Sequence, residues 1–274
     1  MRAPACVRVC GENRADLARA ERLARELGLL LRQGDDASAQ ERALLVKGGQ
    51  LGLQSPDKAP GRGRGKTYFP DWSRIDTTSP AGRRGGQPLL RAVQGKKKYK
   101  GLLVWDGTAG WGEDAWILAA MGHSVVAVER DPLVYLCLLD AWSRVAREAP
   151  FAARRIRPEC GHFEKMLKQA ADGPRGWDSP PLPDVVYLDP FFPAQSGKKG
   201  GEGKSMRVLR LAARKDDEGA DELLRPALMV SRLRVVLKRP RKAKVLSPDG
   251  RGPVHTITGR GYRYDVYLPW RNLP

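Results

Sequence analysis

Residues Val104 to Asp114 read VWDGTAGWGED, and the fold turns on this stretch. An apolar run, Leu102 to Trp105, closes on Asp106. Gly107, Gly110 and Gly112 follow, and Glu113 and Asp114 then open an apolar-periodic segment. The pattern is a buried strand, a tight glycine loop and a helix start, which lets backbone approach a nucleotide-like ligand closely. The glycines run G-x-x-G-x-G, whereas a dinucleotide fingerprint with its pyrophosphate on a helix N-terminus runs G-x-G-x-x-G. Two carboxylates at the helix start would also repel a diphosphate. A ligand with hydroxyls and a positive centre but no phosphate suits the loop better, and S-adenosylmethionine is such a molecule. The loop alone is also compatible with a glycine turn in any α/β protein, so its surroundings add to the decision.

Outward from this loop, strand and helix patterns alternate. Leu102 to Trp105 reads as a first strand and Gly112 to Met121 as a first helix. Ser124 to Val128 is a second strand ending in Glu129, and Pro132 opens a helix running to about Ala146, at a position where its missing N–H costs nothing. A short third strand is expected over Ala153 to Ile156, a fourth over Asp184 to Leu188, a helix over Asp216 to Val230, and a fifth strand over Arg234 to Leu237. His255 to Thr258 and Tyr262 to Leu268 flank Gly259-Arg260-Gly261 as a closing hairpin. Such alternation predicts an α/β fold: a mostly parallel sheet with helices on both faces and an antiparallel edge. Upstream, Asn13 to Gly28 reads as an amphipathic helix stopped by Gly28, and Leu44 to Leu53 as a hairpin turning at Gly48-Gly49. Ser55 to about Gly95 is rich in Pro, Gly and basic residues and reads as a linker. The expected organisation is a small N-terminal α+β domain with a basic linker over residues 1–95 and a larger domain over 96–274.

In an open α/β sheet, ligands sit beyond the carboxyl ends of the strands, and three of these strands end in a carboxylate: Asp106, Glu129 and Asp189. Glu129 stands 17 positions after Gly112, where an acidic side chain can accept from two ribose hydroxyls. Arg130 beside it either borders an adenine or forms a structural ion pair. Asp189-Pro190-Phe191-Phe192-Pro193 follows the apolar strand VVYL directly. The exocyclic amine of a nucleobase is a poor nucleophile because its lone pair is delocalised into the ring. An acceptor at Asp189, helped by a rigid carbonyl in the next residues, can bond the amine protons and hold the lone pair toward an electrophilic methyl group. Phe191 or Phe192 offers a face for the base, worth about 1–3 kcal/mol in stacking.

Composition agrees with a polyanionic partner. The 274 residues carry 49 Lys+Arg against 31 Asp+Glu, a formal charge of +18, which favours phosphate contacts, although an arginine-rich genome bias gives the same sign. Three basic tracts would track a nucleic-acid backbone: Lys96, Lys97 and Lys98; Lys198, Lys199 and Lys204; and Lys238 with Arg239. The stretch GKKGGEGKS from Gly197 imitates a phosphate loop, but Lys198 stands where that pattern needs glycine. Four cysteines show no paired metal spacing and the histidines are scattered, so neither a metal site nor a catalytic triad is expected. Few cysteines, a polar N-terminus and short apolar runs point to a cytoplasmic protein with no membrane span.

The segments DGTAGWGEDAWILA from Asp106, VAVERDP from Val126, VVYLDPFFP from Val185, KSMRVLR from Lys204, RVVLKRP from Arg234 and YRYDVY from Tyr262 occur in one order. In that order the chain resembles the bacterial small-subunit rRNA guanine-N2 methyltransferases of the RsmJ type. The resemblance implies a Rossmann-like class I methyltransferase fold using S-adenosylmethionine, with 16S rRNA or the small ribosomal subunit as partner. The cofactor would lie across the Asp106, Gly107, Gly110 and Gly112 loop, and the resemblance implies further contacts from Glu113, Asp114, Glu129, Arg130, Gly161, His162 and Asp189. Asp189 with Pro190, Phe191 and Phe192 would hold the target base. The chain departs from the family at Glu113, usually Arg, at Gly161 and His162, usually small hydroxyl residues, and at Phe191, often Met. An adenine-N6 methyltransferase, a non-catalytic RNA-binding protein keeping the fold and a small-molecule methyltransferase are the rival readings.

Overall fold

The computed structural model describes residues 5–9, 13–33, 42–55, 66–79, 87–173, 181–190, 205, 208–209, 219–259 and 261–270. They fall into two compact units. Those of the first lie within Met1–Asp71, Asp131–Arg144 and Gln195–Lys215, and those of the second within Trp72–Arg130, Val145–Ala194 and Asp216–Pro274.

The first unit holds β1 (Ala5–Val9), α1 (Arg14–Leu27), β2 (Leu30–Gln33), β3 (Arg42–Lys47), β4 (Gln50–Gln54) and β5 (Thr67–Tyr68), in a sheet ordered β2-β1-β3-β4-β5. The expected helix and hairpin are both present, and β1 and β2 are strands that the sequence reading did not mark. Asn13 caps α1 by accepting from the Ala15 N–H at 2.8 Å, and Gly28 ends it in the left-handed region at φ 62°. The buried positions of α1 are Asp16, Ala20 and Ala24, with its leucines only partly covered. Small residues four apart form a flat face against the strands. Asp16 accepts from the N–H groups of Gly48 and Gly49 at 2.6 and 2.8 Å, so the helix fixes the hairpin turn.

The second unit contains α2 (Gln87–Gln94), β6 (Leu103–Asp106), α3 (Glu113–Ala120), β7 (Ser124–Glu129), the end of α4 (Pro132–Glu148), α5 (Pro150–Ala153), β8 (Ile156–Cys160), α6 (Phe163–Asp172), β9 (Val185–Leu188), α7 (Ala220–Val230), β10 (Arg234–Pro240), β11 (His255–Thr258) and β12 (Tyr262–Tyr267). Its sheet runs β11-β12-β10-β9-β6-β7-β8, parallel from β8 to β10 and antiparallel through β12 and β11. Strand order reverses between β6 and β9, so a crevice opens beyond their carboxyl ends. The core beneath it joins Trp105, Val186, Leu188, Val235 and Leu237 of the strands to Phe163 and Leu167 of α6 and to Leu224 and Leu228 of α7.

Two expectations shift here, and one further helix emerges. Ala153 closes the short helix α5, and the third strand lies later, at Ile156–Cys160. As the edge of the sheet, β8 tolerates Pro158 and the exposed Arg157, which hide it from a search for apolar runs. Within the supposed linker, Gln87–Gln94 is helical and buries Leu89, Ala92 and Val93. Helix α6, unmarked in the sequence reading, buries Phe163 and Leu167 four positions apart.

Gly107 needs its missing side chain for a local reason: a Cβ there would lie 2.1 Å from the Phe163 ring. Gly107→Ala should therefore destabilise the protein by about 1–3 kcal/mol, the usual cost of overpacking. A urea midpoint equal to that of the parent would contradict this.

Candidate functional site

The loop from Asp106 to Gly112 is tied down at almost every residue. Gly107 N–H donates to the Tyr187 carbonyl at 3.0 Å, and Ala109 N–H to the Val128 carbonyl at 3.0 Å, which anchors the loop to β9 and β7. Gly110 and Gly112 adopt φ 54° and 77°, conformations that glycine reaches without strain. Between them Trp111 is buried, and its carbonyl accepts the Trp72 indole N–H at 2.8 Å. Trp72 also stacks on Trp116 of α3, with ring centroids 5.9 Å apart.

The strand-end acids meet this loop. Glu129 Oε2 accepts from Gly110 N–H at 2.9 Å, and the Glu129 carbonyl accepts from Gly161 N–H at 3.0 Å. Gly161 therefore sits beside Glu129, and His162 follows as the exposed N-cap of α6. Glu113 and Arg130 are both partly buried, at the start of α3 and just beyond β7. Asp189 N–H donates to Thr108 Oγ1 at 2.6 Å, so the segment leaving β9 is fastened directly to the glycine loop. Pro190 is buried next to it. Phe191, Phe192, Lys198, Lys199 and Lys204 lie outside the described residues. Lys96, Lys97 and Lys98 are exposed just after α2.

Three carboxylates converge at the crevice, and Lys238 joins two of them. Its Nζ lies 2.9 Å from Asp189 Oδ2 and 3.0 Å from Asp114 Oδ2, and the Tyr187 hydroxyl donates to the same Asp114 oxygen at 2.5 Å. Asp106 is 1% exposed and accepts from Thr108 N–H at 3.2 Å. Lys238 is thus engaged with carboxylates inside the crevice, whereas the sequence reading set it against a phosphate. Arg239, expected beside it, is only 8% exposed. Successive residues of a strand face opposite sides, so when Lys238 enters the site Arg239 turns away from it. Three tyrosines were missed. Tyr187 lies two positions before Asp189 and so shares its face, a signal present in VVYLD. Tyr264 lies opposite Lys238 in the β10–β12 pairing, and the Lys238 ammonium lies 5.3 Å from the Tyr262 ring centroid. No local pattern marks either one.

Burial and the nearby Asp114 charge push the Asp106 carboxyl well above the usual range. Burial also raises Asp189, with Lys238 opposing it. Burial would raise Asp114 too, but the Lys238 ammonium and the Tyr187 hydroxyl hold it below its ordinary value. Lys238 moves up despite burial because Asp114 and Asp189 favour its charged form. Among the described residues, no group of three or more His, Cys, Asp or Glu side chains is arranged to hold a metal ion, and no helix is long and apolar enough to cross a membrane.

Comparison with known proteins agrees with this architecture. A family model described as SAM-dependent methyltransferase matches residues 37–269. A crystal structure of a SAM-dependent methyltransferase from Neisseria gonorrhoeae superposes with a TM-score of 0.61 at 26% identity, covering 96% of each chain. Proteins named ribosomal RNA small subunit methyltransferase J match closely in sequence. That of Thioalkalivibrio sulfidiphilus is 38% identical across 91% of this chain and 92% of its own. That of Pseudomonas paraeruginosa is 37% identical across 92% and 91%. The fold and the glycine loop with its acidic strand ends define a class I S-adenosylmethionine-dependent methyltransferase. Within that class, the chain belongs to the ribosomal RNA small subunit methyltransferase J family.

The raised Asp106 carboxyl has a consequence for stability. A carboxyl that binds its proton more tightly when folded favours the native state at low pH and loses that contribution as pH rises from the unfolded value through the folded one. Asp106→Asn keeps an oxygen for the Thr108 N–H and removes the buried charge. The variant should be more stable than the parent near neutral pH, with the gap closing toward pH 4. Denaturant titrations across that range check this, and a gap that widens on acidification would refute the burial argument.

Proposed function

We propose that the protein methylates the exocyclic N2 amine of a guanine in small-subunit ribosomal RNA, in the cytoplasm. The observation that carries this reading is the bond from Asp189 N–H to Thr108 Oγ1, which fixes a strand-end acceptor against the cofactor loop. The names of the relatives and the net charge of +18 support RNA as the substrate.

The residues present fit S-adenosylmethionine. Gly110 and Gly112 turn the loop at φ 54° and 77° without side chains of their own, and the crevice is lined by carboxylates suited to hydroxyls and a cationic centre. Glu129 would hold the ribose, with Gly107 to Gly112 beneath the ligand and Asp114, Gly161 and His162 around it. When bound, the cofactor supplies a methyl group already activated by its sulfonium. The target guanine would be turned out of its stack to reach the crevice, as for other enzymes that act on a base. Asp189 then accepts from the N2 amine and directs its lone pair. An ionised carboxylate is required for this, because a protonated one would offer a hydrogen to a group that is itself a donor. As the nitrogen gains its fourth bond it must shed a proton, and Asp189 is the adjacent acceptor. Proximity and alignment supply most of the acceleration. The exposed Lys96 to Lys98 would meet phosphates and position the RNA without selecting a base.

Methyl transfer from tritium-labelled cofactor to small-subunit particles and to naked 16S rRNA, followed by nucleoside analysis, tests the reading. N2-methylguanosine is the expected product, and N6-methyladenosine would overturn the base assignment. Binding to these particles without turnover would favour a non-catalytic role. Asp189→Ala should lower turnover by roughly 10²–10³ and leave RNA affinity nearly intact, as when one preorganised polar group is lost from a site. Glu129→Ala should weaken cofactor binding far more than RNA binding. Calorimetry showing unchanged cofactor affinity would remove the ribose assignment.

A further inference from the structure

We propose that Lys238 is a positioning residue for methyl transfer: its ammonium clamps one oxygen of Asp189 from the Asp114 side and so presents the other oxygen to the target amine. The inference rests on the reading of Asp189 as the amine acceptor.

Strand β10 continues past its pairing with β9. That pairing ends at Leu237 opposite Leu188, while β10 runs on to Pro240 along β12. Lys238 is the first residue of the overhang, which places it beside the point where the chain leaves β9 at Asp189. Its Nζ meets Asp189 Oδ2 at 2.9 Å and Asp114 Oδ2 at 3.0 Å, and lies 5.3 Å from the Tyr262 ring centroid. An ammonium has three donors. Two are directed to carboxylates, and the face of Tyr262 lies within cation–π range of the charge. One lysine between two carboxylates leaves a net negative charge, so this cation is badly placed to attract a phosphate. Its side chain is 22% exposed, as is that of Asp189, so solvent screens the pair only in part.

The groups facing Asp189 come from five elements. Lys238 enters from β10, Asp114 from α3, Asp106 from the end of β6, Tyr187 from β9, and Tyr264 from β12. Asp114 is a like charge that favours a proton on Asp189, and burial acts in the same direction. Lys238 opposes both. Without it, a proton would settle among the carboxylates, and a neutral Asp189 would meet the amine as donor against donor.

The test compares Lys238→Met and Lys238→Arg with the parent in three measurements. The first is the titration of the Asp189 carboxyl in the ligand-free chain by carbon-13 NMR, assigned with Asp189→Asn. The second is the pH profile of kcat/KM on rRNA, and the third is the salt dependence of rRNA binding. Ionised Asp189 is the active form, so kcat/KM falls as pH drops through its midpoint. Lys238→Met should move that midpoint and the acid limb upward by about 1 pH unit or more, the size expected when an adjacent opposite charge is lost. Lys238→Arg should return the limb most of the way. The salt slope should stay the same, since no phosphate contact is lost. An unmoved Asp189 titration would overturn the proposal. So would a slope reduced by about one phosphate equivalent.

If Lys238→Met does not unfold cooperatively, nitrogen-15 spectra of the parent decide. The Lys238 ammonium should be protected from hydrogen exchange and lose protection in Asp189→Asn, and equal exchange in both would end the idea. The ligand-free titration needs no substrate. Absence of activity on rRNA would therefore fail the functional reading while the clamp itself was still tested.

Discussion

Like charges drawn into a half-desolvated crevice need either a proton or a cation, and that constraint organises the second unit. The sheet brings Asp106 and Asp189 to neighbouring strand ends, and the glycine loop delivers Asp114 at the start of α3. Lys238 resolves part of the conflict by bonding both Asp114 and Asp189, and Asp106 is pushed toward its protonated form. The arrangement leaves three carboxyls with different tendencies to ionise within one site. Separation of this kind lets one acid act as an acceptor while another serves only to hold backbone.

The glycine loop and the segment that begins at Asp189 form one mechanical piece. Thr108 receives the Asp189 N–H, Gly107 donates to the Tyr187 carbonyl, and Gly110 donates to Glu129. On the proposed reading of Asp189, a ligand lying on the loop would meet an acceptor already in register. Such preorganisation matters for a reaction between two bound partners, where small displacements cost large factors in rate. Trp72, Trp111 and Trp116 support the loop from behind, so its conformation is set by packed aromatic surface as well as by hydrogen bonds.

Much of this was legible in the sequence because it is local. The spacing of Gly107, Gly110 and Gly112 reports backbone geometry at those residues, and the apolar runs before Asp106, Glu129 and Asp189 report strands buried on both faces. Elements with weaker local patterns escaped. Strand β8 carries Pro158 and Arg157 because an edge strand need not be apolar, and α2 lies in surroundings whose Pro and Gly content mimics a linker. Helix α6 had a readable signal in Phe163, Met166, Leu167 and Ala170, at the spacing of one helical face.

The sequence by itself determined the alternation of elements, the glycine loop and the acids that end three strands, since each depends on chain neighbours and on a fixed helical or strand period. Only the tertiary structure decided which charges meet. Lys238 and Asp114 are 124 positions apart, and their contact follows from strand order, from the overhang of β10 beyond β9 and from the register with β12. The same register buries Arg239 on the opposite face and brings Tyr262 and Tyr264 to the ammonium. A basic tract records how many charges are present. Whether one of them faces a phosphate or a carboxylate depends on the sheet that carries it.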